Sequence, residues 1–406
     1  MWRCDPPTRV VLAAVAGLAS AALGHPLLAA LAGIPARPRL LLLLVALGAA
    51  MFGGMRTAAL ERSVLRPGRF GAPVVVTGAP SGDRAVASVP GAAEDVLLVA
   101  PGYRPQLGAA YRAAGRLHEI DAAVRGYYAT QGVHLELRAS RLVYLGRRGG
   151  LWGFVDSVHA AALRRLQAGP DASAPRSLVA GITLGETGAM PADVRQQFRD
   201  SGLYHLVAVS GQNVALVVVF ALACLAAAGV IGAPARIAAI AATVLYVLVT
   251  GAGPSIVRAG VAGTLVAIAW LASRPVARWH LLACGAAVVL ALNPLDLFNP
   301  GFQLSFAAVW AIYVLAPRLQ PRLGSAVAVS VACTLVTTPI AWWHFGSLAP
   351  LSVPANVLAL PAAAPILVCG LAAIVTGSVW QPLATPLLGV ADLLAGYLIW
   401  VARLCS

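Results

Sequence analysis

Ten long apolar runs constrain the fold of this chain more than any other feature of its sequence. Most are close to the roughly 20 residues that a helix needs to cross the hydrocarbon core of a bilayer. The runs are residues 10–33, 40–60, 203–229, 235–252, 255–273, 279–292, 299–316, 324–344, 351–376 and 383–403. The sequence therefore predicts an all-α polytopic membrane bundle with about ten transmembrane spans.

The composition supports a membrane environment and leaves the partner open. Hydrophobic residues make up 59% and charged residues only 11% of the 406 residues, whereas a soluble domain carries about a quarter of its residues as charges. The net charge of +14 comes from arginine alone and suits nucleic acid or anionic lipid, although cytoplasmic loops also collect arginine. The six cysteines are scattered, without the spacing of a zinc site or a disulfide framework, so we expect no metal and no cofactor.

Four segments that differ in their pattern of apolar and polar residues define the expected domains. Residues 1–61 predict a transmembrane hairpin. Residues 62–148 carry short apolar runs separated by turn residues, a pattern that predicts a small soluble OB-like β-barrel inserted after the hairpin. Residues 149–176 predict an amphipathic linker helix, lying either on the membrane surface or in the core of the insert. Residues 177–406 are almost all apolar and predict the main membrane domain.

Arginine positions predict how this domain is oriented. Arginine occurs in alternate loops between the apolar runs, at Arg236, at Arg274 and Arg278, and at Arg318 and Arg322. The positive-inside rule makes these loops cytoplasmic, which places the β insert and the C-terminus outside. The arginines just after residue 61 argue for the opposite orientation, and we assign them to the folded insert.

Polar residues near the start of run 203–229 are candidates for lining an aqueous path. On a continuous helix Gln212 lies about 20° and Asn213 about 80° from His205, with Ser210 at the edge of this stripe. Polar side chains in hydrocarbon usually face water or a buried partner. The alternative is hydrogen bonding between helices, which small polar residues commonly supply.

Four further residues of the apolar runs are candidates for the same path. Arg258 needs water, a carboxylate or a phosphate so deep in a span, unless it snorkels to the interface. Gln303, with Ser305 beside it, shares a helix face with aromatic residues that could stack bases or simply pack. Asn356 lies between two prolines, where a broken helix would leave backbone groups lining a cavity.

Tyrosine and arginine alternate in the β insert. OB barrels hold single strands with this combination of stacking and charge, and the alternative is a tyrosine core with a solvated basic surface. The candidate DNA-binding residues are Tyr103, Arg104, Tyr111, Arg112, Arg125 and Tyr127.

Four stretches, in order, resemble the ComEC family of competence proteins. They are LGETGAMPADVRQQFRDSGLYHLVAVSGQNVAL at 184–216, GAGPSIVRAGVAG at 251–263, NPGFQLSFAAVWAI at 299–312 and TTPIAWWHFGSLAPLSVPANVLALP at 337–361. The resemblance implies a multi-pass channel in the cytoplasmic membrane that imports single-stranded DNA during natural transformation, with residues 177–406 as the channel domain. It implies no enzymatic activity in this chain.

Two departures from the family pattern matter. Many members carry a second His soon after the Ser-Gly of the first stretch, where this chain has Gln212 and Asn213. Many also end in a metallo-β-lactamase-like domain, and its His-x-His-x-Asp-His cluster is missing from this sequence. The partners implied are single-stranded DNA and membrane lipid, with a DNA receptor, a cytoplasmic helicase or ATPase and a separate nuclease domain as further candidates. The oligomeric state is left open.

Two other functions stay open from the residues themselves. A membrane-embedded enzyme could use His205 and Glu186 as acid–base groups, but we find no clustered carboxylates or metal ligands in the spans. We prefer a structural role for Glu186, orienting or capping the loop before the first signature helix. A small-solute transporter should show a two-fold internal repeat, and the sequence shows none.

Overall fold

The computed structural model describes two compact units of the chain. The described residues are 6–22, 39–61, 65–78, 80, 83–92, 94–167, 173–207, 209, 211–251, 254–271, 277–346 and 348–406. The first unit consists of Met1–Gly153 and Val257–Phe302, and the second of Phe154–Ile256 and Gln303–Ser406. Each unit is described by itself below.

Helices account for most of the described residues. In chain order they are α1 (Pro6–Ala22), α2 (Arg39–Glu61), α3 (Ala122–Ala129), α4 (Gly150–Leu166), α5 (Ala174–Leu184), α6 (Ala192–Asp200), α7 (Tyr204–Val207), α8 (Gly211–Ala227), α9 (Gly232–Val249), α10 (Pro254–Leu271), α11 (Arg278–Leu292), α12 (Pro300–Val314), α13 (Ala316–Leu323), α14 (Ser325–Phe345), α15 (Ser352–Val379) and α16 (Gln381–Leu404). A 3-10 helix, Pro294–Phe298, lies between α11 and α12.

Several helices are long and apolar enough to cross a membrane. Among the described residues five qualify, and a sixth does if α12 and α13, which are bent by 57°, form one span; the five are Tyr204–Ala227, Gly232–Val249, Ser325–Phe345, Ser352–Val379 and Gln381–Leu404. These helices support a membrane protein. The expected count of ten spans is not confirmed.

One expected helix differs from its predicted form. The run 299–316 is not one straight span, because the chain bends between α12 and α13. Pro317 follows the bend, and a proline both lacks an N–H and disfavours helical geometry in the residue before it. The run from residue 203 contains α7 and α8, which together qualify as one candidate span, Tyr204–Ala227.

A small mixed five-stranded sheet forms the strand-rich part of the first unit. Its strands are β1 (Gly68–Val76), β2 (Arg84–Ser88), β3 (Asp95–Val99), β4 (Ala109–Glu119) and β5 (Val133–Arg147). The order is β1-β2-β3-β5-β4, and β4 pairs back with β1. Only β3 and β5 run parallel. The predicted strand-rich insert is therefore present, but its OB-like character is not confirmed.

Alternate side chains of β1 and β2 point into the sheet core, as the period of two along a strand requires, whereas β3 is buried on both faces. Val74 and Val76 of β1, Leu98 of β3 and Leu137 of β5 are fully buried in one apolar cluster. Asp95 begins β3 and is partly buried, and this burial raises the pKa of its carboxyl. The opposite faces carry the polar side chains of the insert.

One hydrogen bond joins this sheet region to the helical part of the first unit. Asn293 donates its side-chain amide to the carbonyl of Thr130 at 2.5 Å and accepts from the N–H of Leu295 at 3.0 Å. Burial raises the pKa of the nearby Asp296 carboxyl to about 7, opposed by a hydrogen bond with Asn299. Because this pKa is raised in the folded state, the neutral carboxyl stabilises the fold below its ordinary pKa of 3.8, and that contribution is lost as pH rises through about 7.

The linker helix α4 contributes to a membrane-type core rather than to the core of the β insert. Its buried residues Val155, Ala162 and Leu166 join the large apolar cluster of the second unit. Leu151 and Trp152 in its first turn are exposed. Of the two alternatives for this helix, these contacts do not favour the core of the insert, and a position on the membrane surface stays a prediction.

The second unit packs around α5. Residues from Ser177 to Leu184 are all buried, and α5 contacts both α15 and α16. The facing helices present many alanines, among them Ala359 and Ala362 of α15 and Ala391 of α16. Small residues let helix backbones approach closely, which is how helices associate in lipid, where apolar surface alone gives no driving force.

Candidate functional site

The short helix α5 begins and ends inside the second unit. With 11 residues it is about 16 Å long, roughly half the thickness of the hydrocarbon core of a bilayer. The side chain of Ser173 caps its first turn by accepting from the N–H of Arg176. It ends at Gly185, which has a φ of 76°, a left-handed conformation that glycine adopts without a steric penalty. A half-length helix of this kind brings a polar helix end into an apolar bundle.

Side chains from two neighbouring helices satisfy the carbonyls at this helix end. The last carbonyls of a helix lack intrahelical partners, and leaving them unbonded in an apolar interior is costly. Asn213 of α8 donates its amide to the carbonyl of Ile182 at 2.8 Å. Tyr246 of α9 donates its hydroxyl to the carbonyl of Thr183 at 3.0 Å. The end of α5 is thus fixed by polar side chains that the helix itself does not supply.

A histidine and a glutamate complete this polar centre. His159 of α4 is 5% exposed, and its Nδ1 lies 2.9 Å from the carbonyl of Val249, the last residue of α9. A carbonyl only accepts, so Nδ1 carries the proton. The other ring nitrogen, Nε2, lies 3.8 Å from Glu186 Oε2. The other oxygen of Glu186 accepts from the N–H of Gly188 at 3.0 Å, which holds the loop after α5.

An arginine–carboxylate pair fixes the opposite end of α5. Arg176 donates from Nε to both oxygens of Asp392 on α16, at 2.8 and 3.0 Å, and a further bond joins Nη2 to Oδ2. Its Nη1 donates to the carbonyl of Leu166 at 3.2 Å. Removing one partner of a buried pair leaves an uncompensated charge, so this contact locks α5 against the last helix.

Three of the residues predicted to line a path from run 203–229 are described, and they have different surroundings. His205 is exposed, with Nδ1 bonded to the carbonyl of Gly202 at 3.0 Å, and Gln212 is also exposed. Asn213 is buried and donates to a carbonyl of α5, which fits the alternative of hydrogen bonding between helices, and its position on an aqueous path stays a prediction. Because residues 208 and 210 are not among the described residues, the angular argument that grouped these side chains also stays a prediction. Ser210 lies outside the described residues.

The predicted residues of the later helices pack between helices. Gln303 of α12 is half-buried and accepts at Oε1 from His344 Nε2 of α14 at 2.8 Å, and Ser305 is half-buried. Asn356 is half-buried in the second turn of α15. Since α15 continues through Pro361 and Pro365, the helix break expected beside Asn356 does not occur.

Arg258 belongs to the first unit, on α10. Its side chain is half-buried, and its Cγ lies where a Cβ at Gly285 of α11 would come within 2.7 Å. The absence of a side chain at Gly285 therefore makes room for the stem of Arg258. Close helix packing of this kind holds an arginine in a defined position.

The predicted DNA-binding residues of the β insert are scattered over it. Arg112 is exposed on β4, and Tyr103 and Arg104 are exposed in the loop before that strand. Arg125 is engaged by Glu119 at 3.0 Å and by the carbonyl of Ile120, so it is a poor candidate for holding a ligand. The side chain of Tyr127 lies outside the described residues.

Tyr111 has a packing role in the insert. It is half-buried, accepts at its hydroxyl from the N–H of Gln106 at 3.2 Å, and meets Tyr144 edge-on with ring centroids 5.9 Å apart. Its ring also packs against the core of the sheet. These contacts favour the structural alternative for this tyrosine.

Sequence comparison assigns the second half of the chain to a family. The profile of the family described as "Competence protein" matches residues 182–406, which is more than half of the chain. The chain belongs to the competence protein family. Its matched region begins at Ile182, the residue whose carbonyl Asn213 caps.

Two curated proteins are similar to parts of this competence family member. ComE operon protein 3 of Bacillus subtilis (strain 168) is 30% identical over 192 residues, covering 45% of this chain and 24% of that protein. The uncharacterized protein YcaI of Escherichia coli (strain K12) is 28% identical over 203 residues, covering 46% of this chain and 27% of that protein. The matched region thus spans about a quarter of the length of these relatives. No solved structure matches.

Sequence reasoning missed the polar contacts that organise this competence-type unit. It treated His159 only as part of an amphipathic helix and did not consider Tyr246 or His344. The available signal was a polar side chain within an apolar helix, which usually has a buried partner. Which carbonyl or amide such a side chain contacts depends on helices that are far apart in the sequence. His159 and Val249, for example, are 90 residues apart.

Proposed function

We propose that this protein forms part of the path by which single-stranded DNA crosses the cytoplasmic membrane during natural transformation. The observation that carries the proposal is the family match over residues 182–406. The name of the Bacillus subtilis relative, ComE operon protein 3, points to the same process. The several apolar helices fit a multi-pass protein of that membrane.

The geometry of the second unit supports a membrane path in a specific way. A half-length helix with a capped, polar C-terminal end inside an apolar bundle is the kind of element that lines cavities in membrane proteins. The exposed His205 and Gln212 follow this element in sequence. We propose that these two residues line the path with Gln303, Ser305 and Asn356 of the second unit, while Asn213 holds α5. We propose separately that Arg258 of the first unit contacts the DNA strand.

The proposal extends to the topology of the chain and to its partners in a DNA-import system. We propose that the insert is an OB-like domain on the outer side of the membrane, and that about ten spans carry the chain across it. A DNA receptor, a cytoplasmic helicase or ATPase and a nuclease would be supplied by partners.

A membrane-embedded enzyme is the second candidate, and the His159–Glu186 pair favours it. A histidine with one nitrogen fixed by a carbonyl and the other facing a carboxylate is a common acid–base arrangement. We rank it second because both side chains are buried, at 7% and 12% exposed, which leaves little access for a substrate.

Deletion of the gene tests the function, and Arg258 tests the path. Deletion should abolish transformation while labelled DNA still binds the cell surface. Arg258→Ala should block uptake, because a pore arginine offsets the lost hydration of phosphates with charge-assisted hydrogen bonds. Arg258→Lys should be intermediate, since it keeps the charge but loses the planar fork.

The measurement is transformation frequency normalised to the amount of protein in the membrane by immunoblot. A fall in protein level with Arg258→Ala would instead indicate a structural role beside Gly285. Normal transformation by the deletion strain would refute the proposed function. Normal transformation by Arg258→Ala at a normal protein level would refute the role of Arg258 only.

A further inference from the structure

Three arginines stand side by side across three strands of the β insert. Arg69 on β1 lies directly opposite Arg116 on β4, and Arg116 lies directly opposite Arg138 on β5. Opposed residues of neighbouring strands project from the same face, with Cβ atoms about 5 Å apart. All three side chains are exposed. We call this set the arginine row.

The arginine row costs stability unless something neutralises it. Like charges directly opposite one another destabilise a sheet. Glu136 accepts from Arg138 Nε at 2.6 Å, but 68% of the Arg138 side chain remains exposed. Arg69 and Arg116 have no acidic partner in the part of the chain that the structure describes. The row therefore retains an excess of positive charge.

The row lines a groove with a floor of small residues. Ala114 and Gly115 precede Arg116 on β4. Together with the arginines they line a groove of about 500 Å³, whose other lining residues are His118, Ser140 and Phe70. Gly115 sits where a Cβ would overlap the backbone of β5 at Arg138. A side chain could therefore not occupy this part of the floor without moving a strand.

We propose that the arginine row binds the phosphodiester backbone of single-stranded DNA. Guanidinium groups bind phosphate oxygens through paired hydrogen bonds, and the open floor lets a flexible strand approach the sheet. The ring of His118 lines the same groove, and stacking on a ring accepts any base. The choice of DNA as ligand rests on the proposed function, whereas the anion site rests on the register of the sheet.

Binding of a fluorescein-labelled oligothymidine to the full chain in detergent, followed by anisotropy, tests the row. The double variant Arg69→Gln/Arg116→Gln removes two charges and leaves the Arg138–Glu136 pair intact. Affinity should fall about tenfold, and the slope of log K against log salt should become shallower by about 1.4, since each contact on a single strand contributes about 0.7. The control Arg66→Gln/Arg84→Gln removes the same charge from exposed positions outside the three strands and should bind within about twofold of the parent.

The outcomes separate specific from general attraction. An equal loss in both double variants would overturn the arginine row as a site, as would an unchanged affinity of Arg69→Gln/Arg116→Gln. Equal affinity for duplex DNA would overturn the preference for single strands. If the variant binds oligothymidine normally but loses binding to phosphatidylglycerol vesicles, the row is a lipid site and the proposal fails.

The test is independent of the proposed function. Normal transformation by a deletion strain would refute the function while leaving measured binding of oligothymidine by the row intact. Failure of the row to bind would leave the membrane path of the second unit untouched. The two proposals can thus fail separately.

Discussion

Gln212 and Asn213 are neighbouring amides with opposite surroundings. Gln212 is exposed, whereas Asn213 is buried and donates to the carbonyl of Ile182 at 2.8 Å. The two amides differ in their partners. Asn213 contacts a carbonyl at the end of α5, and such a carbonyl has no hydrogen-bond donor within its own helix. At the scale of single residues, a polar group in this unit is defined by the backbone atom it satisfies.

We expect Asn213→Ala to destabilise the second unit by about 1–3 kcal/mol, the cost of leaving a buried carbonyl unbonded. Gln212→Ala is the matched control and should change stability by no more than about 0.5 kcal/mol, as exposed substitutions usually do. Thermal unfolding of both variants in the same detergent measures the difference. Equal midpoints for the two would contradict a structural role for Asn213.

At the scale of elements, α5 and α15 approach each other closely in the polar centre. A Cβ at Gly370 of α15 would overlap the hydroxyl of Thr183 on α5. A Cβ at Gly181 would lie 2.9 Å from Val207 Cγ1. Glycine at these two contacts therefore determines how closely the neighbouring helix can approach.

We predict that Gly370→Ala destabilises the protein by about 1–3 kcal/mol through overpacking. Adding Thr183→Ala should restore most of the loss, because it removes the overlapping hydroxyl and the two substitutions are directly coupled. Gly389→Ala on α16 is the control, since a Cβ there meets nothing within 4 Å and alanine favours the helix. Additive effects of Gly370→Ala and Thr183→Ala in thermal unfolding would argue against a contact between these helices.

At the scale of the whole molecule, the distribution of arginine relates both units to the membrane. Arg318 and Arg322 lie on α13, and Arg278 begins α11. The positive-inside rule assigns such arginines to the cytoplasm. Counting spans from there, we expect the insert and the C-terminus on the outer side.

Cysteine labelling measures this orientation. In a chain whose own cysteines are replaced, Arg84→Cys in β2 and Ser406→Cys at the end of the sequence should both react with a membrane-impermeant maleimide on intact cells. The physical reason is the preference of arginine-rich loops for the cytoplasm. Reaction of either cysteine only after lysis would reverse the orientation, and a cysteine at Arg318 provides the cytoplasmic control.

The local sequence pattern predicted the helices and strands, whereas the contact partners of individual side chains could be identified only from the fold. Apolar runs and short alternating runs report which face of an element is buried, so the locations of α14 to α16 and of the sheet could be predicted. The bond of Asn213 to Ile182 and the alignment of Arg69, Arg116 and Arg138 depend on packing and register. A shift of the strand register by one residue would turn every exposed side chain to the opposite face. The local sequence pattern does not specify which register these strands adopt.

The pair between Arg176 and Asp392 has a consequence for how the protein is made. The two residues are 216 positions apart in the chain, and a ribosome adding about 5–20 residues per second needs about 11–43 seconds to travel that far. During this interval Arg176 has been synthesised and its carboxylate partner has not. The second unit therefore cannot reach its final packing until the last helix has been synthesised, and a chain that stops early leaves Arg176 of α5 without its carboxylate partner on α16.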